Sequence, residues 1–134
     1  MAKFADDKKA KEISIIEKKY LDAGFEPPLT KDLVEEYAKG KSPSLKLEAR
    51  QILVDLAKDG KLEKLSPDYY MHKTFYDKAV DTTIHLFDNA EKIQMKDVRD
   101  ALKTSRKYAI LLVDHFDQKR ITKTVGDYRI LIKK

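Results

Sequence analysis

The sequence has 134 residues, with 28 Lys and Arg against 23 Asp and Glu, no Cys, and a formal net charge of +5. That length suffices for one ordinary domain or two very small ones. The lack of Cys excludes a disulfide framework and a thiolate metal site, and no apolar run reaches the roughly 18 residues of a membrane helix. The opening residues, MAKFADDKKAKE, are charged and lack the apolar core of a signal peptide, which predicts a cytoplasmic location with no membrane partner.

In chain order, Lys8 to Ala23 places Ile13, Ile16, Tyr20 and Leu21 at spacings of three and four, the pattern of an amphipathic helix. Gly24 is suited to cap it, and Pro27-Pro28 cannot continue it. Thr30 is a good N-cap for a second helix, 31–38, with Leu33, Val34 and Tyr37 on one face. After the turn at Gly40-Lys41-Ser42-Pro43, Ser44 caps a third helix reaching Lys58, with Leu45, Ala49, Ile52, Leu53 and Leu56 inward. Asp59-Gly60 ends it. Residues 61–65 alternate as a half-buried strand does, 66–68 turn, and 69–72 return.

The same order then repeats. Thr74, with Asp77 three residues on, predicts a capping box opening a helix to about Asn89, with Phe75, Ala79, Val80, Ile84 and Phe87 apolar. Residues 92–95 are a short extended piece. A second helix covers 96–103 with Val98, Ala101 and Leu102 inward. Thr104-Ser105 turns and caps a third, 106–118, whose apolar stripe is Ala109, Leu112, Val113 and Phe116. Strands are predicted at 121–125 and 128–132 around Gly126-Asp127. Three helices and a β-hairpin, twice over, is the layout of two tandem winged-helix domains. The predicted class is mainly α with small hairpins (α+β), with domains at 1–72 and 73–134.

Charge separates the halves. Residues 1–75 hold 15 basic and 14 acidic side chains, residues 76–95 hold 2 and 4, and residues 96–134 hold 11 and 5. The whole excess lies in the last stretch, and a one-sided basic field suits a polyanion, most often nucleic acid.

The stretches DGKLEKLSPDYYMHKTFYDKA and TSRKYAILLVDHFDQKRITKTVGDYRIL resemble the C-terminal winged-helix modules of the selenocysteine-specific elongation factors of bacteria. The second carries the more specific signal: a Thr-Ser-Arg-Lys-Tyr-Ala helix start, Phe116-Asp117, then Ile-Thr-Lys-Thr-Val-Gly-Asp-x-Arg. The resemblance extends over essentially the whole chain, weakening before Leu29. It implies an RNA-binding fragment of a translation factor that recognises a messenger RNA hairpin, the SECIS element, directing selenocysteine insertion at UGA. It implies that the second module holds the RNA, with the ribosome nearby in the parent complex; the near-neutral first module is expected to position the second, and the protein is expected to be a monomer. No Gly-x-x-x-x-Gly-Lys-Ser/Thr occurs, so no enzyme activity and no cofactor are expected here. GTP and Mg belong to the GTPase part of the parent factor.

RNA cannot be read as DNA is, because the A-form major groove is deep and narrow, so loops and hairpin ends are the targets. Arg106 and Lys107 open the last helix, beside backbone N–H groups that favour phosphate, with Ser105 as cap. Arg99 and Lys103, four apart, are expected to share a face leading to the same turn. Lys119, Arg120 and Lys123 stand at the start of the hairpin and Arg129 just past its tip. Arginine can grip phosphate or a guanine edge with two hydrogen bonds. Gly126 supplies the turn geometry and allows close approach, and Tyr128 either packs on its strand or stacks on a base.

The other readings are weaker. His72, His85 and His115 lie far apart without metal-ligand spacing and are expected to be structural. Asp114 and Asp117 share a helical face, which is usually solvated surface, and no nucleophile matches them. A winged-helix DNA-binding regulator is the rival function, but a two-unit reader should carry basic charge on both third helices. Residues 44–58 are nearly balanced. A protein-facing spacer is a third reading of the first unit.

Overall fold

The computed structural model describes residues 3–132, and side chains from Lys9 onward; the predicted tail Lys133-Lys134 lies outside the described residues. The elements are α1 (Lys3–Ala23), α2 (Thr30–Ala38), α3 (Ser44–Lys58), β1 (Leu62–Ser66), β2 (Tyr69–His72), α4 (Lys73–Leu86), α5 (Met95–Leu102), α6 (Arg106–Gln118), β3 (Thr122–Val125) and β4 (Tyr128–Leu131). The fold is α+β, with two antiparallel hairpins, β1-β2 and β3-β4. The chain forms two compact units, one ending at Thr74 and the other starting at Phe75. Each is three helices followed by a hairpin.

The first unit is built on the apolar stripes that its sequence spaces at three and four. Ile16 and Tyr20 of α1, Leu33 and Val34 of α2, and Ala49, Ile52, Leu53 and Leu56 of α3 meet Leu62 and Tyr70 of the hairpin in one buried cluster. Each large side chain so buried stabilises the fold by about 1.5–3 kcal/mol before entropy is counted. The caps differ from expectation. Thr30 and Ser44 are the first helical residues, preceded by Leu29 and Pro43, and neither of those supplies a side-chain cap. Thr30 is instead buried, and its backbone N–H donates to the carbonyl of Asp68 at 2.8 Å, tying the start of α2 to the β1-β2 turn. At α3 the hydroxyl of Ser42 takes the cap's place, accepting from the Ser44 N–H at 3.4 Å.

The predicted Thr74–Asp77 capping box also gives way to a different device. The ring of His72, only 6 % exposed, accepts the Thr74 N–H on Nδ1 at 3.2 Å. That bond leaves the proton on Nε2, which donates to Glu17 of α1 at 2.9 Å. A histidine thus caps the helix that the sequence assigned to a threonine.

In the second unit α4 buries Tyr76, Ala79 and Thr83 rather than the expected Phe75, Val80 and Ile84, which are half-buried beside them. His115 is buried edge-on to Tyr76, with ring centroids 5.4 Å apart, and Phe116 packs on the same tyrosine. Gln94 and Asp97 form a capping box at α5, where Asp97 accepts the Gln94 N–H at 2.8 Å. The extended piece before α5 joins the hairpin. Ile93 and Arg129 exchange both backbone hydrogen bonds, at 3.0 and 2.8 Å. In the hairpin itself Thr122 pairs with Leu131 and Val125 with Tyr128, leaving Gly126-Asp127 as the turn. Gly126 has φ +63 and open space around its missing Cβ, so backbone angle rather than room accounts for the glycine. No described helix is long and apolar enough to cross a membrane.

Candidate nucleic-acid interface

Four of the predicted cations of the second unit line two clefts, one at each end of α6. At its start, Arg99 of α5 and Arg106 of α6 line an open cleft of about 400 Å3 with Gln94, Met95, Lys96 and the turn residue Asp127. This cleft exists because the two-residue turn brings the wing tip back to the first turns of α5 and α6. Arg106 is exposed and has no ion-pair partner among the described residues. Arg99 is half-buried, and its Nε donates to Asp100 at 3.1 Å. Asp127, Gln94, Met95 and Lys96 were not singled out by the sequence. Only chain reversal at Gly126 brings the first of them here.

At the far end, Arg120 and Lys123 line a second open cleft of about 420 Å3 with Asp117, Thr122, Thr124 and Ile132. Lys119 is the C-cap of α6 and is exposed. The expected one-sided basic field is thus carried in part by two clefts, Arg99 and Arg106 lining one and Arg120 and Lys123 the other.

Arg129 belongs to neither cleft. Its side chain is 15 % exposed, its Nε donates to Asp117 at 3.2 Å and its Nη2 to Asp114 at 3.3 Å. The same Asp117 carboxylate accepts the hydroxyls of Thr122 and Thr124, each at 2.6 Å. Asp114 and Asp117, which helical spacing assigned to solvated surface, instead clamp the wing onto α6. The signal was present: Thr122 and Thr124 are two apart on a strand and share a face, just after a helix ending in Asp. With its guanidinium so engaged, Arg129 serves the wing's geometry.

The remaining predicted residues are placed as follows. Lys103 is the C-cap of α5 in the left-handed region, φ 55, so it leaves the helical face it was expected to share with Arg99. Ser105 is the N-cap of α6 with extended backbone, and its side chain makes no cap bond. Lys107 Nζ lies 4.8 Å from the centroid of the Tyr108 ring. Tyr128 is 43 % exposed at the wing, and Lys92 Nζ sits 5.7 Å from its ring centroid. His85, the third histidine, is exposed and bonds the Asp81 carbonyl at 2.7 Å. Among the described residues no group of three His, Cys, Asp or Glu is disposed to hold a metal ion.

Residues 85–131, most of this unit, match the family described as the winged helix of elongation factor SelB. Over those residues the second unit is similar to the SelB winged helix. The chain is also 30 % identical over 121 residues to a selenocysteine-specific elongation factor from Desulfomicrobium baculatum, covering 90 % of this chain and 18 % of that protein. It therefore spans about a fifth of that relative's length. In fold, it is similar to the mRNA-binding domain of elongation factor SelB from E. coli, solved in complex with SECIS RNA. That likeness has a TM-score of 0.71 at 24 % identity over 91 % of this chain and 98 % of the other. A bacterial selenocysteine-specific elongation factor gives a TM-score of 0.55 at 18 % identity over 76 % of this chain and 18 % of that one. The SelB match falls on the unit that holds both cationic clefts.

Proposed function

We propose that this chain is the RNA-binding part of a selenocysteine-specific elongation factor, acting in the cytoplasm. Its second unit binds the messenger RNA hairpin that directs selenocysteine insertion at UGA. The observation that carries this reading is the cleft at the start of α6, where Arg99 and Arg106 converge beneath the wing turn. The cleft lies in the unit with the positive excess, and that unit matches the SelB winged helix. A hairpin apex presents splayed bases and closely spaced phosphates, and two guanidinium groups beside a helix N-terminus suit both. The first unit, nearly neutral, positions the second. The chain itself carries out no chemistry; nucleotide hydrolysis belongs to the parent factor.

The test is binding of a labelled SECIS-type hairpin, duplex RNA and duplex DNA at two salt concentrations. A preference for the hairpin that persists at the higher salt is expected. Equal binding of all three would reduce the interaction to charge attraction, and a preference for duplex DNA would favour a regulator. Arg106→Ala should weaken hairpin binding about tenfold, the effect of losing roughly 1.4 kcal/mol, and should lower the salt slope by about 0.7–0.9. Its urea midpoint should match the parent chain.

A further inference from the structure

Among the described residues, only two that are not glycine have positive φ, and both are basic: Lys103 at φ 55 and Arg120 at φ 60. The second has an internal control. In the first unit α3 ends at Lys58 and Gly60 follows at φ 78; in the second α6 ends at Gln118 and Arg120 follows at φ 60. The hydrogen bonds are the same. Gly60 N–H donates to Ala57 at 3.1 Å and Lys61 N–H to Leu56 at 2.9 Å, while Arg120 N–H donates to Asp117 at 3.1 Å and Ile121 N–H to Phe116 at 2.9 Å. Both helices thus close with the same left-handed cap, whose natural occupant is glycine. The first unit uses glycine and the second places an arginine there against its backbone preference. Residues held in such conformations cluster where function requires their position.

The surroundings say what that position offers. Arg120 and Lys123 are exposed over the cleft at the far end of α6. The one carboxylate in it, Asp117, is already taken up by Thr122, Thr124 and Arg129. Neither Arg120 nor Lys123 has an ion-pair partner among the described residues. Two exposed cations three residues apart, beside a carboxylate already engaged by Arg129 and two hydroxyls, fit the phosphates of an RNA backbone.

We infer that Arg120 and Lys123 form a second RNA-phosphate site, separate from the Arg99–Arg106 cleft and built on the left-handed cap of α6. The inference rests on the proposed hairpin binding. The 13 residues of α6 span about 20 Å at 1.5 Å per residue. That length corresponds to several nucleotide steps of an RNA stem. An apex seated at the start of α6 therefore leaves the second site to phosphates of the stem below it, or to a second RNA.

The experiment measures affinity by fluorescence anisotropy for two hairpins with the same apex, one with a long stem and one cut below about four base pairs. Arg120→Gly restores the residue that this backbone prefers, so it should fold at least as well as the parent; Lys123→Ala is combined with it. Stem contact predicts that the double variant binds the long hairpin about tenfold more weakly, with the salt slope reduced by about 1.4–1.8, and binds the short hairpin as the parent chain does. Should hairpin affinity be unchanged while the hairpin-saturated chain captures a separate labelled RNA duplex through Arg120 and Lys123, the phosphates come from a second RNA. Unchanged affinity for both hairpins and for the added duplex overturns the second site. Arg106→Ala distinguishes the failures: if it still loses the hairpin, only the second site falls, whereas if neither variant matters the hairpin reading falls with it.

Discussion

The two hairpins share a topology and differ in what holds them. Every residue of β2 is buried, β1 opens on the buried Leu62, and Leu62 and Tyr70 join the core of the first unit. In the second wing only Thr122 is buried, and Lys123 through Tyr128 are exposed. Aligned on their last residues, α3 and α6 share a buried apolar stripe, Ala49, Ile52, Leu53 and Leu56 in one and Ala109, Leu112, Val113 and Phe116 in the other, to which α6 adds His115. The divergence lies one residue beyond that stripe, where Ala57 of α3 corresponds to Asp117 of α6. A carboxylate there replaces apolar burial with a clamp of two hydroxyls and a guanidinium. A wing fastened by polar groups at its base can stand out into solvent with its cations and its tyrosine presented. A wing fastened by its own side chains cannot.

This contrast can be broken by substitution. The largest effect belongs to the core-held wing: Met71→Ala, at a fully buried site in β2, should cost about 3 kcal/mol. Chemical denaturation would measure it, and a loss below about 1 kcal/mol would mean that the first wing is not part of the core. Asp117→Ala should cost about 2 kcal/mol, since it leaves the largely buried guanidinium of Arg129 with only Asp114 and orphans two hydroxyls. Its proper comparison is Asp114→Ala, which removes the more exposed partner and should cost well under half as much. The caps come next. Arg120→Gly should stabilise the second unit by about 1 kcal/mol and Gly60→Arg should destabilise the first by a similar amount. If both substitutions had the same sign, the two caps would not be equivalent. The smallest effect sharpens the functional side. Leu47, 74 % exposed on the outer face of α3, should be replaceable by Ser with a change of about 0.5 kcal/mol or less. Hairpin affinity should be unaltered, since the proposed reading seats the RNA on the second unit.

Much of the fold was legible because it is written at short range. The stripe Ala109, Leu112, Val113, Phe116 and the turn pair Gly126-Asp127 fix a helix and a hairpin from a handful of neighbouring residues, and all are found where the spacing put them. Caps were less legible. Thr30, Ser44 and Thr74 have the right chemistry, yet each lies inside its helix: the N–H groups of Ser44 and Thr74 go to side chains two residues earlier, Ser42 and His72, and that of Thr30 goes to the distant Asp68 carbonyl. Of the candidate clefts, the basic excess and the cations Arg99, Arg106, Arg120 and Lys123 were legible. The division into two clefts was not, since that depends on α6 holding its two ends apart. The role of Arg129 was hidden for the same reason: its partners, Asp114 and Asp117, lie 15 and 12 residues back along the chain.

By itself, then, the sequence determined two helix-helix-helix-hairpin units and gathered the positive charge into the second, because periodicity and charge counts are properties of the chain. Tertiary structure alone decided which cations face solvent and which are spent on structure. A guanidinium is the same group in either case, and only the carboxylates and hydroxyls folded against it determine whether any of its donors remain for a phosphate.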